Sequence, residues 1–122
     1  NIPKYCCINR HTSLLPKNRG LEPVFWSMLN KESETGLTIH TMNEKIDEGN
    51  IISQKKYIIS NNDTYLSLYE RSFNDAPYLI IDAFNKIKNY KKFKKIDSKL
   101  GNYNNYPSFV DIIKFKLNNN IL

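Results

Sequence analysis

Apolar residues along this chain follow two different periods. Between residues 64 and 89 they recur three and four apart, at Leu66, Tyr69, Phe73, Ala76, Ile80, Phe84 and Ile87, the spacing that lines one face of a helix. Asn61-Asn62-Asp63 caps its start, the Tyr and Phe side chains read as core, and Pro77 is expected to kink or split it near Asn74-Asp75. Elsewhere the apolar stretches are short. Tyr5 to Asn9 reads as a largely apolar strand of the buried parallel kind, after a lead-in from Ile2 to Tyr5 that Pro3 keeps from helix. Leu37 to Met42, opened by Gly36, and Asn50 to Ile59 read as two more strands. Pro23 opens a short helix that runs to Asn30 and puts Trp26 in the core. Ser108 and Asp111 form a capping-box start for a last helix from Phe109 to Leu117, and Asn118 to Asn120 fray.

Polar stretches separate these elements. His11 to Glu22 is a loop punctuated by Pro16 and Gly20, and Glu32 to Thr35 is a turn. Asn43 to Glu48 is a turn that delivers Asp47, with Gly49 permitting a tight conformation after it. Gly101 to Pro107 is a polar loop. With 122 residues, 40% of them hydrophobic and 12% aromatic, the chain has the size of one domain and enough apolar content for a core. The net charge of +6 admits a small basic nucleic-acid binder, with Lys86 to Lys95 as its patch. Lys, Asn, Ile and Tyr pervade the whole chain, however, and that run reads instead as a solvated helix end. Cys6 and Cys7 are adjacent, with neither a disulfide framework nor zinc-ligand spacing; they read as small buried residues of a reducing compartment. No apolar run has membrane length and no secretory signal is visible, which places the protein in the cytoplasm by expectation.

The chemistry concentrates in two stretches. Asn9 and His11 lie two apart, so on an extended segment they point to one side, just at a strand end. Asp47 answers them from the later turn. An amide, an imidazole and a carboxylate together suit chemistry at a carbonyl, where an oxyanion is held and a proton moves. His40 shares a strand face with Thr38 and Met42 and reads as a supporting residue. Lys17 and Arg19 are either solvated loop charges or cations that face an anionic ligand.

Asn9-x-His11-x-Ser13-Leu-Leu-Pro16, Arg19-Gly20, Pro23-x-x-Trp26, Gly36-x-Thr38-x-His40 and Asp47-x-Gly49-x-Ile51-Ile52 resemble the formyltransferases that use 10-formyltetrahydrofolate. The resemblance covers residues 3 to 90 strongly and the tail weakly; Thr12 stands where Pro is common, and Arg10 is bulkier than the usual apolar residue. It implies an α/β fold: the C-terminal half of a Rossmann-like formyltransferase domain over residues 1–97, three strands with flanking helices, then a loop and short helical extension over 98–122. It places catalysis on Asn9, His11 and Asp47, folate binding on Met42, Ile46 and Asp47, and acceptor binding on Ser13, Lys17 and Arg19, with no metal. Protonated His11 and the Asn9 amide would hold the oxyanion, while Asp47 favours the charged imidazole and helps remove the amine proton. Pro23 to Trp26 and the tail tilt the acceptor toward a nucleotide-linked amino sugar. Methionyl-tRNA and glycinamide ribonucleotide remain as alternatives, as does a formyltetrahydrofolate hydrolase, against which Leu14 counts. No membrane is implied, nor any nucleic acid unless the acceptor is a tRNA, and a homodimer is open for the complete protein. In the resembled family about half of the catalytic domain precedes the first motif. The chain is therefore expected to be a fragment, a partner-dependent half or an inactive half-domain, binding folate and transferring formyl groups poorly by itself.

Overall fold

The strand Glu34–Thr41 organises the molecule because its sequence suits burial on both faces. The computed structural model describes residues 4–89 and 92–118; the expected lead-in at residues 2–3, Tyr90 and Lys91 of the basic run and the fraying at 119–120 lie outside them. In chain order the elements are β1 (Ile8–His11), β2 (Arg19–Gly20), α1 (Pro23–Leu29), β3 (Glu34–Thr41), β4 (Asn50–Ile58), α2 (Tyr65–Asn89), β5 (Lys94–Lys95), a 3-10 turn (Ser98–Leu100), β6 (Tyr103–Asn104) and α3 (Phe109–Leu117). The α/β class is as expected, and the three anticipated strands are β1, β3 and β4. They pair, with β5, in the order β1-β3-β4-β5.

Every pairing in that sheet is antiparallel. The parallel character expected of the first strand is thus corrected: an apolar tripeptide reveals burial but carries no strand direction. On one face of β3, Leu37 packs with Tyr57 and Ala76, and Ile39 packs with Ile52 and Ala83. On the other face Thr38 meets the loop after β1. Its hydroxyl donates to the Ser13 carbonyl at 2.6 Å and accepts from the Leu15 N–H at 3.3 Å, as a buried hydroxyl must find partners. The register slips between Ile39 and His40, so that Ile52 is the extra residue of a bulge beside the chemistry-bearing end of β3.

α2 runs unbroken through Pro77, which is exposed, so its missing N–H costs no buried bond and the helix does not split. The buried stripe of α2 also differs from the expected one. Leu68, Ser72, Ala76 and Ala83 are buried, with Leu79 packed beside them, whereas Phe73 and Phe84 are 57% and 52% exposed. Tyr69, Ala76, Ile80 and Ile87 of the expected stripe do pack on the core; at Phe73 and Phe84 the buried position is the preceding residue instead. Close approach of a helix to a sheet selects small side chains at the contact, and the large aromatics are left beside it. Arg10 of β1 lies over the Phe73 ring, 4.2 Å from its centre. Ala83→Leu is expected to lower stability by about 1–3 kcal/mol through overpacking, and Phe84→Ala by only about 0.5 kcal/mol. Urea unfolding of the two variants separates the two stripes, and the opposite ranking would restore the first one.

The basic run does not end as a solvated helix. After α2, Phe93 packs against Ile39, Ile52 and Ala83, and Lys94-Lys95 pair with Asn50 and Ile51 along the open side of β4. The tail folds back in the same way. β6 pairs in parallel with β2, a contact invisible in a polar loop. α3 has the expected bounds and the expected capping box between Ser108 and Asp111. It carries Phe115, fully buried, onto the Phe25 ring at 4.5 Å between centres and nearly parallel. Trp26 sits half-buried at the rim of that cluster, its indole N–H donating to the Asn105 carbonyl at 3.1 Å. Cys6 and Cys7 precede the sheet; they are free, Cys6 half-buried and Cys7 exposed, contrary to the buried reading.

Candidate active site

β1 carries Asn9 and His11 to one end of the sheet, Asn9 exposed and His11 buried. The turn from residue 42 to 49 brings Asp47 over them. Asn43 braces that turn, accepting from the Lys45 N–H at 2.9 Å and donating to the Glu48 carbonyl at 3.0 Å. The left-handed residue of the turn is Asp47 itself, at φ 53°. Gly49 serves differently from the expectation: a Cβ there would collide with the Thr41 carbonyl oxygen, so the close approach of two backbones requires it.

Asp47 accepts the Gly20 N–H at 2.8 Å and lies between two imidazoles. His11 Nδ1 is 3.5 Å from Oδ2, and His40 Nε2 is 3.4 Å from Oδ1. His11 Nε2 is 2.7 Å from the Asn18 carbonyl, and His40 Nδ1 is 2.9 Å from the Thr41 carbonyl. Carbonyl and ionised carboxylate both only accept, and the carbonyl contacts are the shorter, so in a neutral ring the proton sits on the carbonyl-facing nitrogen. In the neutral rings the nitrogens turned toward Asp47 are then bare. Two lone pairs and a carboxylate converge on one small volume, which is an arrangement for receiving a proton. His40 thus stands beside the carboxylate itself, which its strand position alone did not reveal.

Burial pushes the His11 pKa below its ordinary 6.5, and the attraction of Asp47 and the Asn18 carbonyl does not overcome it. Burial thus disfavours the charged His11 ring that the resemblance implies for the reaction. Burial also pushes Asp47 upward, but the His40 contact, the His11 ring and the Gly20 N–H together hold it below its ordinary 3.8. Both shifts make acid destabilising. Each depressed folded pKa gives a contribution that is complete above the unfolded value and is lost as pH falls through the folded value. Stability measured by urea unfolding is expected to decline below about pH 6.5 and again below about pH 4, and His11→Gln should flatten the first decline. An unchanged slope in that variant would assign the decline elsewhere.

Asn9, His40, Met42, Ile46 and Asp47 line a cavity of about 170 Å³. His11 lies behind it. The Asn9 amide has no hydrogen-bond partner among the described residues, and the Met42 and Ile46 side chains are exposed at the mouth. The expected acceptor residues fare unequally. The Ser13 hydroxyl is buried and donates to the Lys17 carbonyl at 2.6 Å, and Arg19 is paired with Glu48. Ser13 is engaged within its loop and Arg19 with the turn that carries Asp47, and of the three only Lys17 is open to solvent. A larger cavity, about 520 Å³, between Met28, Glu32, Ile59 and Asp63 holds none of the motif residues. Among the described residues no group of three or more His, Cys, Asp or Glu side chains is arranged to hold a metal ion, and no helix is long and apolar enough to cross a membrane.

A family model described as formyl transferase matches residues 1–84. The chain belongs to the formyltransferase family. Methionyl-tRNA formyltransferase of Wolbachia pipientis subsp. Culex pipiens is 39% identical over 98 residues, covering 80% of this chain and 33% of the relative. Two solved formyltransferases share the fold. PseJ from Anoxybacillus kamchatkensis, in complex with UDP-4,6-dideoxy-4-formamido-L-AltNAc and tetrahydrofolate, superposes with a TM-score of 0.72 at 32% identity, over 90% of this chain and 56% of its own. The N-formyltransferase of Helicobacter canadensis, in complex with folinic acid and dTDP-3-aminofucose, gives 0.69 at 35% identity, over 80% of this chain and 37% of its own. This formyltransferase chain spans about a third of the length of the curated relatives it matches.

Proposed function

We propose that this formyltransferase moves the formyl group of 10-formyltetrahydrofolate to the primary amine of a nucleotide-linked sugar. The observation that carries the reaction is the meeting of an unpartnered amide, Asn9, with a buried proton acceptor, Asp47 between two imidazoles, at one cavity. The Asn9 N–H groups donate to the formyl oxygen as it gathers negative charge under attack by the amine. Such a donor contributes on the order of a hundred- to a thousandfold in rate. The proton lost by the amine passes to Asp47 with His11, whose bare Nδ1 and neighbouring carboxylate are open to it. Met42 and Ile46 offer apolar walls to the folate ring, and Lys17 offers a charge to an anionic acceptor.

The likeness of the two sugar-nucleotide complexes supports the acceptor class. At 80% and 90% coverage it extends over more residues than the 84 matched by the family model. The methionyl-tRNA relatives, at 39% identity, favour a second reading. Formyl transfer by the native protein, assayed with a UDP- or dTDP-linked amino sugar, methionyl-tRNA and glycinamide ribonucleotide, decides between them. Preference for the sugar nucleotide by a hundredfold or more in kcat/KM, about 2.7 kcal/mol, is expected. Preference for methionyl-tRNA would overturn the acceptor and leave the chemistry.

A further inference from the structure

Asn18 is completely buried and adopts a left-handed backbone at φ 52°. Its side chain is saturated. Nδ2 donates to Ser27 Oγ and to Glu32 Oε1, both at 3.0 Å, and Oδ1 accepts from Asn102 Nδ2 and Asn104 Nδ2, both at 3.0 Å. Asn102 grips it a second time, its Oδ1 accepting the Asn18 N–H at 2.8 Å. On the following peptide, the Arg19 N–H donates to the Asn102 carbonyl at 3.0 Å, and the Leu21 N–H donates to the Asn104 carbonyl at 2.9 Å. The peptide planes before and after Asn18 are thereby both held by the segment 102–104. The group those planes aim is the Asn18 carbonyl, which receives His11 Nε2 at 2.7 Å.

We propose that Asn18 is a positioning residue for His11, and that through it the β6 segment fixes which ring nitrogen of the histidine is bare. The proposal rests on the reading of His11 as a catalytic residue. A neutral imidazole carries its proton on either nitrogen. With the Asn18 carbonyl in place the proton stays on Nε2, and Nδ1 faces Asp47 ready to share a proton. With that carbonyl displaced, the proton moves to Nδ1, where Asp47 binds it; Nε2 becomes the basic atom, and the nitrogen beside Asp47 no longer receives a proton. Among the described residues the titratable side chains set against the His11 ring are Asp47 and His40, and neither holds Nε2. Ordinary packing needs cannot account for the arrangement, because an apolar residue would fill the space without four aligned amide bonds.

The test reads the ring directly. Asn102→Ala removes the double grip while leaving every residue of the cavity in place, and Asn18→Gly keeps the left-handed backbone while stripping the amide. Nitrogen-15 chemical shifts of the His11 ring give its tautomer without any need for turnover. The native protein is expected to show Nε2–H alone and the variants a mixture, with kcat lowered roughly ten- to a hundredfold by the misplaced ring, KM unchanged and the acid limb of the kcat profile displaced. Nε2–H alone in a folded variant, with an unmoved pH profile, would make Asn18 a loop strut and overturn the proposal. If Asn102→Ala does not fold, Asn104→Ala, which removes one donor from the partly exposed side, carries the same comparison. Full activity of His11→Ala would instead defeat the catalytic reading, whatever the tautomer.

Discussion

Asp47→Asn is expected to lower kcat for formyl transfer about a thousandfold, within the range of general acid–base effects, and to leave the melting temperature nearly unchanged. The substitution isolates charge from shape. Asn is one of the few residues that tolerate the left-handed backbone observed at Asp47. Its carbonyl oxygen can still accept the Gly20 N–H that Asp47 accepts at 2.8 Å. What it cannot do is receive a proton. Its amide nitrogen, set beside the bare His11 Nδ1 or His40 Nε2, would donate to one of them and cap a second base as well. Removing a buried carboxylate also removes its desolvation cost, which offsets the lost contacts and keeps the fold intact. Steady-state kinetics and a thermal melt on the native protein and the variant test both halves. Activity within tenfold of the native enzyme would remove Asp47 from the proton pathway.

Phe115→Ala is expected to cost about 3–5 kcal/mol, the range for emptying a buried aromatic site. Phe115 is wholly buried, stacked on Phe25, and shares its cluster with Val24, Met28 and Leu68 from α1 and α2. The loss is large against a total stability of about 5–15 kcal/mol for a small domain, so the urea midpoint should fall by a large fraction. Leu117, two residues on and 75% exposed, serves as the control, its replacement by Ala changing stability by about 0.5 kcal/mol or less. A Phe115→Ala variant as stable as that control would mean that α3 rests on the molecule without belonging to its core.

The elements that the residue pattern revealed are those whose signal is local. Pro23 opens α1, Ser108 and Asp111 cap α3, and β3 and β4 lie where alternating and clustered apolar residues placed them. Asn9, His11 and Asp47, singled out by spacing and resemblance, lie together at one end of the sheet. The hidden features depend on partners distant in sequence. On α2 the reading failed at Phe73 and Phe84, because periodicity weights large side chains, whereas the helix-to-sheet distance selected the neighbouring Ser72 and Ala83. β2, β5 and β6 are two residues each, too short for any period. Gly49 was read as permitting a tight conformation, because glycine is the most permissive residue; its use here is to let two backbones meet. Arg19 was left open to an acceptor because nothing in the motif announces Glu48 as its partner, and Gly20 was noted as a break although its N–H anchors Asp47. For Asn18 the sequence offered no signal at all, since every group that explains it lies beyond the loop.

The pairing of β2 with β6 has a consequence in time. Asn18 and Asn102 are 84 residues apart, and at a synthesis rate of about 5–20 residues per second the second follows the first by about 4–17 s. The sheet of β1, β3 and β4 and the face of α2 packed on it can assemble on the ribosome within that interval, because those pairings and contacts lie within residues already made. The Asn18 carbonyl, and the histidine it aims, must wait for the arrival of residues 102–104. A nascent chain thus holds a folded sheet before it holds an aligned His11, and products released before that segment emerges would be structured and catalytically silent.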